Sequence, residues 1–251
     1  MITIARQLWG IKLQNVYFPE KSDSLVSDRS FDLIGITQSL TPSDKLNKLE
    51  TLQIDLTKSE EELLADMTKS TRQQIRQAIQ KYDFHFQVFP KPANNDLYAF
   101  QSFYNQFAEH KNTYKCRAFH IQTLKLLRDN GNMLMTQITN ENNDVLCCRI
   151  YAIDGQRATS LYSVSHFRLN DDQTRKRILS NAHRYLKWKD MTWLKNNGYR
   201  VYDSGGLTSD NNIRKFKLEF GGTIVTEYSG YVANTLKGRM LLGIRRLNMS
   251  K

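Results

Sequence analysis

Two glycine pairs, Gly205-Gly206 and Gly221-Gly222, bracket one lysine-bearing segment and fix what the late part of this chain can fold into. Tyr202-Asp203-Ser204-Gly205-Gly206-Leu207 reads as a short strand running into a tight turn. Phe216-Lys217-Leu218-Glu219-Phe220-Gly221-Gly222 reads as a helix that ends in a second glycine turn before another strand. Glycines at a strand end let backbone N–H groups come close to a ligand. A lysine fixed beside them supplies a positive charge suited to a phosphate or to the oxyanion of acyl transfer. Gly205, Gly206 and Lys217 are therefore candidate site residues. The competing reading of Lys217 is a solvated surface lysine next to Arg214 and Lys215.

Periodicity orders the rest of the chain. The first fifty residues suggest strands within Ile2–Tyr17 and Phe31–Thr37, a polar turn-rich stretch over Lys21–Ser30, and a strand over Thr51–Leu56. Ser59 and Glu62 form a capping box that starts a helix, with Leu64, Met67, Thr71, Ile75 and Ala78 as its apolar stripe. Lys69, Arg72 and Arg76 line another face of that helix, either as a solvated basic stripe or as an anion-facing one. A strand over Phe84–Phe89 precedes helices near 95–109 and 119–128. Strands over 132–139, 144–153 and 157–165 follow, joined by turns at Asn142-Asn143-Asp144 and Asp154-Gly155-Gln156. A long helix from Thr174 to Asn196 stops at Gly198. Strand 199–203, helix 210–219, strand 223–229 and a helix over 234–247 complete the order.

Composition narrows the function classes. With 36 Lys and Arg against 25 Asp and Glu, the net charge is +11. A surface this basic favours polyanions such as nucleic acid, nucleotide-linked sugars or an anionic membrane face. The three cysteines, Cys116, Cys147 and Cys148, have neither a disulfide framework nor metal-ligand spacing, and buried small hydrophobes are their expected role. No apolar run is long enough to span a bilayer and no signal peptide opens the chain. A cytoplasmic protein is expected, with peripheral contact to the inner membrane surface left open.

From residue 84 onward the succession of strand, two helices, three antiparallel strands, helix, strand, helix and strand resembles the acyltransferase fold of the GNAT superfamily. Three stretches resemble its Fem-type peptidyltransferases in particular: Thr68-Lys69-Ser70-Thr71-Arg72-Gln73-Gln74-Ile75-Arg76-Gln77-Ala78, Ala158-Thr159-Ser160-Leu161-Tyr162-Ser163-Val164-Ser165, and the opening Tyr-Asp-x-Gly-Gly with its Phe-Lys-x-x-Phe-Gly-Gly partner. The resemblance runs from Leu56 to Tyr228. It implies an α/β fold with a mixed, mostly antiparallel sheet flanked by helices. It also implies a division into residues 1–82, a partial or degenerate second unit ending in the basic helix, and residues 83–251, the GNAT-like acyltransferase domain. The family includes aminoacyl-tRNA-dependent enzymes that build peptidoglycan cross-bridges, usually with two such domains, whereas this chain has room for one complete copy.

The resemblance also implies roles. Lys217 would hold a substrate phosphate or the developing oxyanion. Tyr162 would assist proton transfer, and Ser165 would stand with it where the sheet parts to admit an acyl group; core packing is the other reading of Tyr162. Asp203 would accept a proton or hold an amine, or else cap its own loop. His166 follows as a candidate base. Arg72, Arg76 and Arg177 would hold an anionic donor or acceptor. In coenzyme A users a glycine-bearing loop binds pyrophosphate between strand and helix; the matching stretch here, His166–Thr174, has no glycine and carries Asp171 and Asp172. No permanently bound cofactor or metal is expected. The acyl donor would be an aminoacyl-tRNA or an acyl thioester on coenzyme A or a carrier protein, and the acceptor an amine of an envelope precursor or nucleotide sugar. A non-catalytic protein that binds nucleic acid or a membrane surface is the remaining alternative.

Overall fold

A computed structural model of the protein describes residues 1–8, 10–20, 29–169 and 171–249. Most of the polar stretch Lys21–Ser30 lies outside the described residues. The side chains of Arg245 and Arg246 do so as well. The chain opens with β1 (Ile2–Leu8), β2 (Ile11–Tyr17), β3 (Leu33–Ser39) and β4 (Asn47–Asp55), then α1 (Glu60–Asp66) and α2 (Lys69–Lys81). Next come β5 (His85–Phe89), α3 (Asn94–His110), α4 (Ala118–Asp129), β6 (Met133–Thr139), β7 (Val145–Ile153) and β8 (Arg157–Ser165). A 3-10 turn (His166–Leu169), α5 (Gln173–Asn196), β9 (Val201–Gly206), α6 (Asn211–Leu218), β10 (Thr223–Ala233) and α7 (Leu236–Met249) finish it.

The chain divides into two compact units, residues 1–51 with 224–251, and residues 52–223. This division follows the contacts within each unit, and the sequence boundary near residue 82 falls inside the second. In the first unit β1 and β2 form an antiparallel hairpin, β2 pairs with β3 in parallel, and β3 pairs with β10 antiparallel. Val16, Ile34, Ile36, Leu46 and Val232 form its core.

The second unit carries the strand order β4-β9-β8-β7-β6-β5. β5 to β8 run antiparallel in succession, and β8 pairs with β9 in parallel. Adjacent residues on β8 show how helices cover both faces of the sheet. Tyr162 packs edge-on against Phe100 and Tyr104 of α3, while Ser163 reaches His183 of α5. Successive strand side chains point to opposite faces, so α3 and α5 sit on opposite sides of β8. The fold class is therefore the one expected: mixed sheets, antiparallel in most pairs, flanked by helices. No described helix is long and apolar enough to cross a membrane.

The single helix expected after Ser59 is two. The capping box forms as read, with Ser59 Oγ accepting from the Glu62 N–H at 3.2 Å and Glu62 accepting from the Ser59 N–H at 2.7 Å. The chain then breaks at Met67, and Thr68 caps a second helix by accepting from the Thr71 N–H. A β-hydroxyl residue in a helical pattern competes for backbone donors in this way. Most of the apolar stripe survives the break: Met67, Thr71, Ile75 and Ala78 are buried, whereas Leu64 is half-buried and its neighbour Leu63 is the buried leucine of α1. α5 spans about 36 Å at the usual helical rise. It ends at Asn197-Gly198 as expected, and it carries four buried polar residues, Asn181, Lys187, Asp190 and Thr192, among its buried apolar ones. Lys187 and Asp190 shape the site.

Candidate functional site

β8 and β9 are paired only over Arg157–Thr159 and Val201–Asp203. Past that point β8 continues to Ser165 and β9 to Gly206, and a cavity of about 580 Å³ opens beside them. Its walls include Phe107 of α3, Leu179 of α5 and Ile213 and Phe216 of α6, and its polar lining includes Ser160, Ser163 and Ser165 of β8 and Ser204 of β9.

A β-bulge decides which residues of β8 face this space. Tyr151 opposes Ser160 and Ile150 opposes Tyr162, which leaves Leu161 as the extra residue. The bulge shifts the two-residue alternation by one. Ser160, Ser163 and Ser165 consequently share the cavity face, and Tyr162 turns away from it. Tyr162 packs between Phe100 and Tyr104, and its hydroxyl bonds the Cys116 thiol. It does not line the cavity, which corrects its expected proton-transfer role; core packing is what the fold gives it. His166 also turns away. Its ring stacks on Phe103 at 3.8 Å, and Nε2 meets the Phe103 carbonyl at 2.9 Å. A carbonyl only accepts, so Nε2 carries the proton, and burial lowers the ring's pKa.

Lys217 sits where the sequence placed it. Nζ donates to the Gly206 carbonyl at 2.7 Å and to that of Gly205 at 3.3 Å, and the side chain lines the cavity. Burial lowers its pKa to about 8, opposed by the Asp203 charge and assisted by Arg149. Gly205 has φ +72°, and a Cβ there would lie 2.8 Å from the Ser160 carbonyl, so any side chain at this turn would be driven into β8. Its N–H is used internally, donated to Asp203 Oδ1 at 2.6 Å. The second pair serves packing: a Cβ on Gly221 would strike Asp66, and one on Gly222 the Gln53 carbonyl. Asp203 is fully buried and ion-paired with Arg157 while it caps the turn. Of its two readings, the loop cap is the one the fold uses.

Of the remaining candidates, the three arginines stand apart from the cavity. Arg72 is committed to the end of α1, donating to the carbonyls of Leu64, Ala65 and Met67 at 3.1, 3.2 and 2.5 Å. Arg76 and Arg177 are exposed, and neither lines the cavity. Ser165 does line it, 7 % exposed, with no hydrogen-bond partner for Oγ among the described residues.

The sequence reading missed the group beneath the cavity. Arg149 of β7, 3 % exposed, donates to the Tyr202 hydroxyl at 2.6 Å and meets His183 Nε2 at 3.2 Å. A guanidinium only donates, so His183 Nε2 must accept and the ring proton sits on Nδ1. The Ser163 hydroxyl, 2.9 Å from the same nitrogen, then donates to it. Burial, with Arg149, Arg184 and Lys187 nearby, holds His183 well below its ordinary pKa, so it is neutral and a poor base for Ser163. Asp190 takes the Tyr151 hydroxyl at 2.5 Å and lies 3.8 Å from Arg149 Nε. Burial raises its pKa to about 6. Lys187, 1 % exposed, donates to Ser204 Oγ at 2.9 Å over the Phe220 ring, and burial holds it far below the usual lysine range. The Phe-Lys-x-x-Phe motif thus supplies a stacking partner for His183 (Phe216, 4.7 Å), the cavity lysine, and the ring beneath Lys187. Lys187 and Asp190, set among Leu186, Trp188 and Met191 on the buried side of α5, were the available signal.

All three cysteines are buried, and burial raises their thiols, Cys116 to about 11. The N-terminus of α5 is already occupied. Asp172 accepts from the N–H groups of Thr174 and Arg175 at 2.9 and 3.2 Å, so the donors a pyrophosphate would need there serve a carboxylate of the chain itself.

No family model matches the chain, and no curated protein does. Solved structures do. The chain is similar to FemX, with 12 % identity and a TM-score of 0.62 over 96 % of this chain and 85 % of that one. It is similar to the C-terminal domain of a candidate lysylphosphatidylglycerol synthetase from Agrobacterium fabrum, with 14 % identity and a TM-score of 0.56 over 96 % and 83 %. L-PGS from Bacillus licheniformis gives 13 % identity and a TM-score of 0.54 over 96 % and 86 %. At these identities the likeness is one of fold, and the fold is GNAT-like and of the Fem type.

Proposed function

We propose that this protein is an acyl or aminoacyl transferase that forms an amide on an amine of a cell-envelope precursor. The observation that carries the reading is the parting of β8 from β9 into a cavity with Lys217 at its edge, held by the Gly205 and Gly206 carbonyls. A gap between parallel strands admits an extended acyl chain, and a fixed ammonium stabilises negative charge as it develops on the attacked carbonyl. In that reaction the amine nitrogen attacks the acyl carbon and the new C–N bond forms. The bond from carbon to the donor oxygen or sulfur breaks, and the proton lost by the amine ends on the departing donor. Lys217 at about 8 is mostly protonated at neutral pH, the form that stabilises an oxyanion.

The solved structures with this fold include FemX and a candidate lysylphosphatidylglycerol synthetase, which supports a transferase acting on an envelope component. The occupied N-terminus of α5 favours an aminoacyl ester over a coenzyme A thioester as donor. A net charge of +11 suits a polyanionic donor such as tRNA.

The test is to incubate the purified protein separately with mixed radiolabelled aminoacyl-tRNA and with acyl-coenzyme A, each with amine-bearing envelope precursors, and to count labelled amide. Product from the tRNA arm that Lys217→Ala abolishes is expected. Absence of product from both arms, or undiminished product from Lys217→Ala, would remove the reading. Salt-sensitive polyanion binding with no turnover would put a binding protein in its place.

A further inference from the structure

The cavity lining carries more positive than negative charge. Arg149, Lys187 and Lys217 line it, and Arg157 stands behind Asp203. Two carboxylates, Asp190 and Asp203, act on these four cations among the described residues. The wall cations are already matched: Arg184 pairs with Glu219 at 2.7 Å and Lys111 with Asp210 at 3.2 Å. No Asp or Glu is among the described residues lining the cavity. With nothing bound, the imbalance is relieved by the lysines, both of which burial holds below their ordinary pKa.

A second observation points to a ligand in the same place. Ser165 Oγ is buried, lines the cavity and has no partner among the described residues. A buried hydroxyl without a partner forfeits about 1–3 kcal/mol, which an acceptor atom in the cavity would restore. The walls, in contrast, are apolar: Phe107, Leu179, Ile213 and Phe216. The space therefore suits a short aliphatic body with a negative inner end, and it opposes a cationic one.

Building on the transferase reading above, we propose that the acyl group seated in this cavity carries a second carboxylate, as in an acidic aminoacyl or dicarboxylic acyl group, held at the floor by Lys187 and the Ser165 hydroxyl. The reacting carbonyl then lies toward Lys217 at the edge. A lysyl group, whose ammonium would enter among these cations, is excluded. Specificity arises by repulsion as much as by attraction. An anion entering here brings its own counter-charge, so a neutral lysine takes up a proton as the anion binds.

Three five-carbon probes of equal length isolate the charge: glutarate, 1,5-pentanediol and 1,5-diaminopentane. Calorimetric titration of the full chain at pH 8 should show glutarate binding at least ~10-fold more tightly than the diol, with the diamine showing no binding. The glutarate heat should change with the ionisation enthalpy of the buffer, which reports proton uptake. Lys187→Met should reduce glutarate to the level of the diol. That variant replaces a buried amine by an apolar chain of similar length, a change buried sites tolerate. Ser165→Ala provides the independent check, with an expected loss of about 5-fold in affinity. Diamine binding as tight as glutarate would overturn the assignment. So would glutarate affinity unchanged in both variants, which would locate binding elsewhere on a basic surface. Because binding is measured without turnover, its failure is separable from failure of the transferase reading. Transfer of a lysyl group by the wild-type protein would sink the carboxylate subsite and leave the transferase intact.

Discussion

The two faces of β8 are built from one nine-residue strand and have opposite chemistry. On the α3 face, Tyr162 sits among Phe100 and Tyr104, and beyond the strand His166 stacks on Phe103. On the α5 face, three serines look toward a cavity above Arg149, His183 and Lys187. The first face is aromatic and closed. The second is cationic, with one serine hydroxyl lacking a partner. The difference teaches that the chemistry of this fold depends on the phase of alternation along β8, which the bulge at Leu161 sets. Altering the cavity face should therefore change function or the response to pH, whereas altering the aromatic face should change packing alone.

The largest effect expected from the cavity side is on stability. Asp190→Ala leaves the Arg149 guanidinium buried opposite a void, and breaking a buried pair from one side costs about 3–5 kcal/mol. Urea unfolding at pH 7 would read that loss. Asp190→Asn refines the test through pH. Burial raises the Asp190 carboxyl in the folded protein to about 6, against roughly 3.9 in an unfolded chain. Between these values the folded protein keeps a proton that the unfolded chain has released, so this group's contribution to stability falls as pH rises from about 4 to about 6. The change is about 3 kcal/mol across the window. The wild-type minus Asn difference isolates it from carboxylates such as Asp55, which is shifted down by its bonds to Thr57 and contributes the opposite slope.

Turnover comes next. Lys217→Ala should lower the rate about 10²- to 10³-fold, as removal of a fixed oxyanion partner does, with the folded structure retained. If the ammonium form is the working one, wild-type activity should fall as pH rises through about 8. The linked stability runs the other way. From about 8 to the ordinary lysine value near 10.4, the unfolded chain holds a proton that the folded one has lost, so this group's contribution rises with pH. A rate that instead climbs steadily through pH 8 would assign Lys217 the role of a base.

Local patterns carried much of this into the sequence. The capping box at Ser59 and Glu62, the strand alternations from β5 to β8 and the pairing of Lys217 with its glycine turn all depend on residues near one another in the chain. The order of elements was legible for the same reason. The Arg149, His183 and Lys187 group was not, because it joins β7 to α5 across a fold and no local spacing marks it. Tyr162 and Ser165 could have been separated: they are three apart on a strand, and alternation puts such residues on opposite faces. Arg72 and Arg76 share a helical face by spacing, yet Arg72 is spent on three carbonyls because α1 ends at Met67. The break at Thr68 that creates this demand lies within one continuous apolar stripe, and the stripe conceals it.

The smallest effect is the sharpest test of the two faces. Tyr162→Phe keeps the ring between Phe100 and Tyr104 and removes only the hydroxyl, whose partner is the Cys116 thiol. A weak sulfur bond is worth at most about 1 kcal/mol, so unfolding should shift by that much or less. Turnover should stay within about two-fold of wild type, since neither Tyr162 nor its ring partners Phe100 and Tyr104 line the cavity. Ser163→Ala, one residue along, should by contrast change the pH response. It removes the hydroxyl that shares His183 Nε2 with Arg149, and the ring proton that nitrogen resists becomes easier to place. Should Tyr162→Phe instead cost turnover a hundred-fold while Ser163→Ala leaves the pH profile untouched, the faces have been assigned the wrong way round, and with them the position of the bulge.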